Sequence, residues 1–137
     1  MAQALLKISD GLCIGLHAMV YLAKVYPQAK TIKELAEKVS ASPAHLAKVF
    51  QQLQKAELVK ATRGPKGGYA LSKSPKEVTL LEVFEVLQHP IKEHFCLYPE
   101  PVCKGNKCIL GDMIVEVTRL VKTYLAKTTL EEVKEVF

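Results

Sequence analysis

At 137 residues with 49% hydrophobic content, the chain is long enough for one packed core and too short for two enzyme domains. Its net charge of +5 is uneven: residues 1–73 carry eleven Lys and Arg against four Asp and Glu, whereas residues 74–137 carry eight against ten. No run approaches the roughly 18 apolar residues that span a bilayer, and the N-terminus has no signal-peptide pattern, so a cytoplasmic protein with no membrane partner is expected.

Leu5, Ile8, Leu12, Leu16, Met19 and Ala23 recur at steps of three and four, which predicts an amphipathic first helix ending near Pro27. Thr31 with Glu34 three residues on forms a capping-box signal for a short second helix, whose apolar face is Ile32, Leu35, Ala36 and Val39. After the turn Ser40-Ala41-Ser42, Ser42 is the expected cap of a third helix with Pro43 in its first turn. Leu46, Val49, Phe50 and Leu53 supply its inward side, and His45, Lys48, Gln52 and Lys55 share the opposite one.

Two strand-like runs, Leu58 to Thr62 and Gly68 to Ser72, flank Arg63-Gly64-Pro65-Lys66-Gly67 and predict a hairpin with a basic, glycine-rich tip. Ser74-Pro75 interrupts the chain, and Thr79 caps a further helix that ends before Pro90. Residues 90–108 are an irregular loop holding three prolines and three cysteines. From there Leu110, Met113, Val117, Leu120 and Tyr124, widened by Ile114 and Val121, form a partner-helix stripe over about Ile109 to Ala126. A short last helix over Thr129–Phe137 is expected, capped by Thr128 or Thr129.

The expected fold class is mainly α with a small β-hairpin wing: a winged helix-turn-helix plus a long dimerisation helix. Residues 1–75 form the DNA-reading region in this scheme, and 76–137 the cysteine loop and dimerisation region of one compact unit. Ser42 and the helix N-terminus can meet a phosphate, while His45, Lys48 and Gln52 can present polar groups to base edges. Arg63 and Lys66 on the wing would neutralise phosphates or enter a narrow minor groove. The plain alternative for His45, Lys48, Gln52 and Lys55 is that they are the wet side of an ordinary surface helix. The glycine loop lacks the spacing of a nucleotide-binding loop.

Cys96-x6-Cys103-x4-Cys108 crowds three thiols into 13 residues, and soft sulfur donors in a reducing compartment favour iron–sulfur, zinc or copper(I) over hard cations. Neither interval is as short as the pairs of a structural zinc site. Cys13 stands far from the other three. At about 100° per residue it lies roughly a quarter turn from the apolar stripe, in line with Asp10 and His17.

Leu6-Lys7-Ile8-Ser9, the stretch Ala18 to Ala23, the wing with Arg-Gly-Pro-Lys-Gly-Gly-Tyr and the late three-cysteine loop together resemble the IscR and NsrR family of bacterial regulators. The resemblance covers nearly the whole chain. It implies a homodimer, joined through the long helix, that binds double-stranded promoter DNA and mostly represses. It places Arg63 at the wing position that contacts DNA and Ser42 and His45 at the start of the recognition helix.

The family's cysteine loop carries an iron–sulfur cluster, so the resemblance implies a 2Fe-2S or 4Fe-4S cluster on Cys96, Cys103 and Cys108. Cys13 falls where certain relatives place a ligand from the opposite subunit and is the candidate fourth ligand, with Asp10, His17, His94 and Asp112 as weaker ones. Gly111 replaces the histidine that IscR types carry three residues after the last cysteine. Two further readings stand beside this one: a cluster-free regulator of the same family that senses through thiols or a partner, and a redox metalloprotein that does not bind DNA. An enzyme is not expected, because no Ser-His-Asp group, carboxylate pair or nucleotide loop accompanies the cysteines.

Overall fold

The computed structural model describes residues 8–65, 67–88, 90–91, 96, 98, 100, 102–104 and 108–137. The elements run α1 (Asp10–Val25), α2 (Ile32–Val39), α3 (Pro43–Lys55), β1 (Val59–Thr62), β2 (Gly68–Leu71), α4 (Leu80–Leu87), α5 (Met113–Lys127) and α6 (Leu130–Val133). A 3-10 turn over Pro75–Glu77 precedes α4, and another over Lys134–Val136 continues α6. The architecture is the expected one, mainly helical with a single two-stranded antiparallel hairpin among the described residues.

The central element is α1, which packs against α2, α3, α4 and α6. Leu12, Met19 and Leu22 of α1, Leu35 of α2, Leu46, Phe50 and Leu53 of α3, Val83 of α4 and Leu130 of α6 are sealed from solvent in one cluster. At Gly15 a Cβ would come within 2.7 Å of a Val49 methyl, so this glycine lets α1 approach α3 closely. The chain after α5 closes back on α4: the amide of Leu80 donates to the Thr128 carbonyl at 2.9 Å and that of Leu130 to the Val78 carbonyl at 2.9 Å. Lys24 near the end of α1 is bridged to Glu135 at 2.6 Å.

Three boundaries differ from the sequence expectation. The apolar stripe predicts a first helix from Leu5, which lies outside the described residues, but Ile8 and Ser9 precede the helix. Ser9 is extended and its side chain accepts the amide of Leu12 at 3.1 Å, so it caps α1 and leaves Ile8 54% exposed.

The long helix starts at Met113 rather than near Ile109. Gly111 adopts φ +59 and its amide closes a turn onto the Cys108 carbonyl at 2.9 Å, which holds Ile109–Asp112 out of the helix despite their apolar neighbours. At the far end, the last helix is a single turn followed by 3-10 geometry. Thr128 does not cap it, because its hydroxyl donates back to the Tyr124 carbonyl at 2.8 Å, and Thr129 holds the cap position without a side-chain bond.

Candidate nucleic-acid interface and cysteine loop

The second and third helices form where their caps direct. Thr31 accepts the Glu34 amide at 3.1 Å and Glu34 accepts the Thr31 amide at 2.8 Å, a complete capping box. The Thr31 amide first, then the Thr31 hydroxyl and the charge of Lys30, hold the Glu34 carboxyl below its usual range against the opposing effect of desolvation. Ser40 takes the left-handed conformation at φ 55, and the chain turns into Ser42, which accepts the His45 amide at 3.1 Å. Pro43 then opens α3 at a position whose amide needs no partner.

Leu46, Val49, Phe50 and Leu53 of α3 are buried, and His45, Lys48, Gln52 and Lys55 are exposed on the other side, as their spacing requires. Beside them the hairpin pairs Val59 with Leu71, Lys60 with Ala70, Ala61 with Tyr69 and Thr62 with Gly68. The Thr62 hydroxyl bonds both the Gly68 amide and its carbonyl, at 3.1 and 3.2 Å. Gly64 sits at φ +107, and the Gly67 amide reaches the Gly64 carbonyl at 2.8 Å. That tight tip presents Arg63 to solvent, while Lys66 lies outside the described residues. Among the described residues, Lys48, Lys55, Lys60 and Arg63 form no ion pair, so these cations of α3 and the hairpin are not offset by a paired carboxylate.

Two contacts of this surface are not foreshadowed by its local pattern. Lys30 and Tyr69 exchange both backbone bonds, at 2.9 and 2.8 Å, adding a one-residue third strand to the hairpin. The Tyr69 ring lies 5.0 Å from Phe50, and its hydroxyl reaches the Gln54 side-chain oxygen at 3.4 Å. Residues 39 apart in sequence must meet for the first contact, so only the unusual Gly-Gly-Tyr run hints at it.

Cys103, Cys108 and Cys13 are exposed, Cys96 is half-buried, and all four thiols are free. The sulfur of Cys96 accepts the Tyr98 amide at 3.5 Å and that of Cys108 accepts the Leu110 amide at 3.5 Å. Cys13 lies on α1, its sulfur 3.9 Å from His17 Nδ1, which in turn donates to the Cys13 carbonyl at 2.7 Å. Both line a groove of about 240 Å³ with Lys38, Ser40 and Phe137.

Asp10 is exposed, Asp112 precedes α5 without capping it, and His94 lies outside the described residues. Among the described residues no three His, Cys, Asp or Glu side chains come together as a metal site. Three thiols suit an iron–sulfur cluster chemically, but the described residues do not bring Cys96, Cys103 and Cys108 together as one group.

The exposed stripe of α5 borders this region. Ile114, Thr118 and Leu125 are buried, whereas Met113, Leu120 and Tyr124 are 41%, 71% and 62% exposed and fall at steps of seven and four along one side. No helix among the described residues is long and apolar enough to cross a membrane.

Comparison with known proteins identifies the architecture. Residues 8–135 match the family model Rrf2, described as an iron-dependent transcriptional regulator. The HTH-type transcriptional regulator CymR of Bacillus subtilis is 31% identical over 128 residues, covering 93% of this chain and 88% of that protein. The solved structure of the global cysteine regulator CymR of B. subtilis superposes with a TM-score of 0.83 at 30% identity, covering 96% of this chain and 98% of that one. IscR of T. potens superposes with a TM-score of 0.76 at 26% identity, covering 96% and 88%. The chain belongs to the Rrf2 family of iron-dependent transcriptional regulators and is a DNA-binding regulator built on a winged helix-turn-helix.

Proposed function

We propose that the protein is a homodimeric promoter-binding repressor whose affinity for DNA follows the state of an iron–sulfur cluster. The observation that carries the DNA reading is the set of exposed cations on α3 and the hairpin, Lys48, Lys55, Lys60 and Arg63, which form no ion pair among the described residues. Ser42 and the start of α3 meet phosphate, His45, Lys48 and Gln52 reach base edges, and Arg63 and Lys66 meet the backbone or minor groove. Residues 1–75 carry this head, and 76–137 carry the cysteine loop and the helix that pairs with a second copy, within one compact unit.

The cluster would be held by Cys96, Cys103 and Cys108, with Cys13 supplied by the other subunit. When bound it supplies a redox-active, acid-labile crosslink between subunits. With the group held, Cys13 would tie α1 of one protomer to the loop of its partner and so would bias the angle between the two DNA-reading heads. A bias of a few kcal/mol changes promoter occupancy greatly.

The test is anaerobic purification with an absorption spectrum and iron and sulfide counts, comparing the wild type with Cys13→Ala and Cys108→Ser. A cluster that disappears in Cys108→Ser and weakens in Cys13→Ala supports the cross-subunit set. An unchanged spectrum in Cys13→Ala removes Cys13 from it.

A second reading draws on the three exposed free thiols Cys13, Cys103 and Cys108 and on the likeness to a cysteine regulator. In it the protein holds no cluster, and oxidation of those thiols releases DNA. Iron-free protein whose DNA affinity responds to peroxide would select this reading.

A further inference from the structure

The wing and α3 are separate elements, and DNA recognition needs them at one fixed angle. In this fold the side chain of Tyr69 spans from one to the other. Tyr69 lies opposite Ala61 in the hairpin register, and its backbone makes both bonds to Lys30 on the other edge. Its side chain goes to α3, the ring against Phe50 at 5.0 Å and the hydroxyl onto Gln54 at 3.4 Å.

Phe50 and Gln54 are four residues apart and therefore lie on one strip of the helix. Gln54 is two residues on from Gln52, about 200° round the helix at 100° per residue, so it points toward the wing and away from the side bearing His45, Lys48 and Gln52. The wing tip follows directly, because Thr62 and Gly68 form the next pair beyond Ala61 and Tyr69, and Arg63 comes next. Rotation of the hairpin about Tyr69 would move Arg63 relative to α3.

We propose that Tyr69 is a positioning residue for DNA recognition: its hydroxyl, bonded to Gln54, sets the angle of the wing on α3 and so aligns Arg63 with the base-reading side chains. The ring on Phe50 contributes packing, and the hydroxyl contributes direction. This inference rests on α3 and the wing being the DNA-contacting elements, and the variants below separate the two.

The experiment uses the full-length protein and a duplex selected by the wild type from a random-sequence library, with poly(dI-dC) as the nonspecific probe. Tyr69→Phe keeps the ring and removes the hydroxyl, and Gln54→Ala removes its partner. Each is expected to weaken binding to the selected duplex about threefold to tenfold, the worth of one hydrogen bond. Binding to poly(dI-dC) and the melting temperature are expected to stay near wild type. The double variant is expected to be no weaker than either single one, because the two changes break the same bond.

The proposal is overturned if both single variants bind the selected duplex like the wild type while Arg63→Ala weakens it. It is overturned equally if they lose affinity for both probes in step with a fall in melting temperature, which marks a purely structural role. If Arg63→Ala also binds the selected duplex like the wild type, the assignment of the wing to DNA fails and the positioning role fails with it.

Discussion

Gly68 lies directly beneath Lys30, so close that a Cβ on it would overlap the Lys30 carbonyl oxygen and come within 2.8 Å of the Thr31 amide nitrogen. Both groups in the way are backbone, and the Lys30 carbonyl is already bonded to Tyr69, so neither can swing aside. Gly68→Ala should destabilise the protein by about 1–3 kcal/mol, as overpacking does, and detach Lys30 from the hairpin. Urea unfolding would measure the loss, and hydrogen exchange at the Lys30 and Tyr69 amides would localise it. Wild-type protection at those amides in the variant would refute the argument.

Much of this architecture is written locally. Thr31 with Glu34 and Ser42 with Pro43 announce their helices because a capping bond spans only three residues, and each forms as its spacing predicts. The buried positions of α3 follow equally from a period of 3.6. The start of α5 was less legible. An apolar stripe runs through Leu110, yet a positive φ at Gly111 outweighs it, and apolar periodicity carries no signal about φ. The contact of Lys30 with Tyr69 joins distant residues and has no local signature. The cysteines are legible as donors, but the described residues do not bring three of them together, and spacing along the chain carries no signal about that.

At the end of α3 the chain leaves the helix through a bond from the Leu58 amide to the Leu53 carbonyl at 3.0 Å and one from Glu57 to Gln54 at 2.9 Å. This pattern normally places glycine at the left-handed position, which here is Glu57 at φ +63. Glu57→Gly should raise stability by about 0.5–1 kcal/mol, because glycine meets no steric penalty there. Glu57→Ala, which keeps the penalty, should not. Paired urea titrations distinguish them, and an equal effect of both would place the cause elsewhere.

The capping box predicts an acid dependence with a definite sign. The Glu34 carboxyl is held low, chiefly by the Thr31 amide, and that of Glu135 is held low by its bond to Lys24. A depressed folded value means the unfolded chain takes up the proton first, so this contribution is present above the ordinary value of 4.5 and is lost as pH falls through the folded values below it. The melting temperature should therefore drop below about pH 4.5, and Glu34→Gln should drop less steeply. A Glu34→Gln profile as steep as the wild type's would show that Glu34 contributes none of it.

The exposed stripe of α5 is the surface through which two copies are expected to associate. Leu120 is 71% exposed and Tyr124 62%, whereas Leu125 on the same helix is only 9% exposed and packs into the core. If Leu120 meets its counterpart in a second copy, placing a charge there opposes association without touching the fold. Burying such a side chain is worth about 1.5–3 kcal/mol on each subunit. Leu120→Glu should therefore be monomeric by analytical ultracentrifugation at micromolar concentration, with an unchanged circular dichroism spectrum.

Its affinity for a two-half-site duplex should fall at least about tenfold, because each head then binds without the other's contribution to effective concentration. Leu125→Glu, by contrast, should lose the fold. A Leu120→Glu protein that remains dimeric would move the interface off this side of α5. One that becomes monomeric yet keeps wild-type affinity would show that a single head suffices for DNA binding.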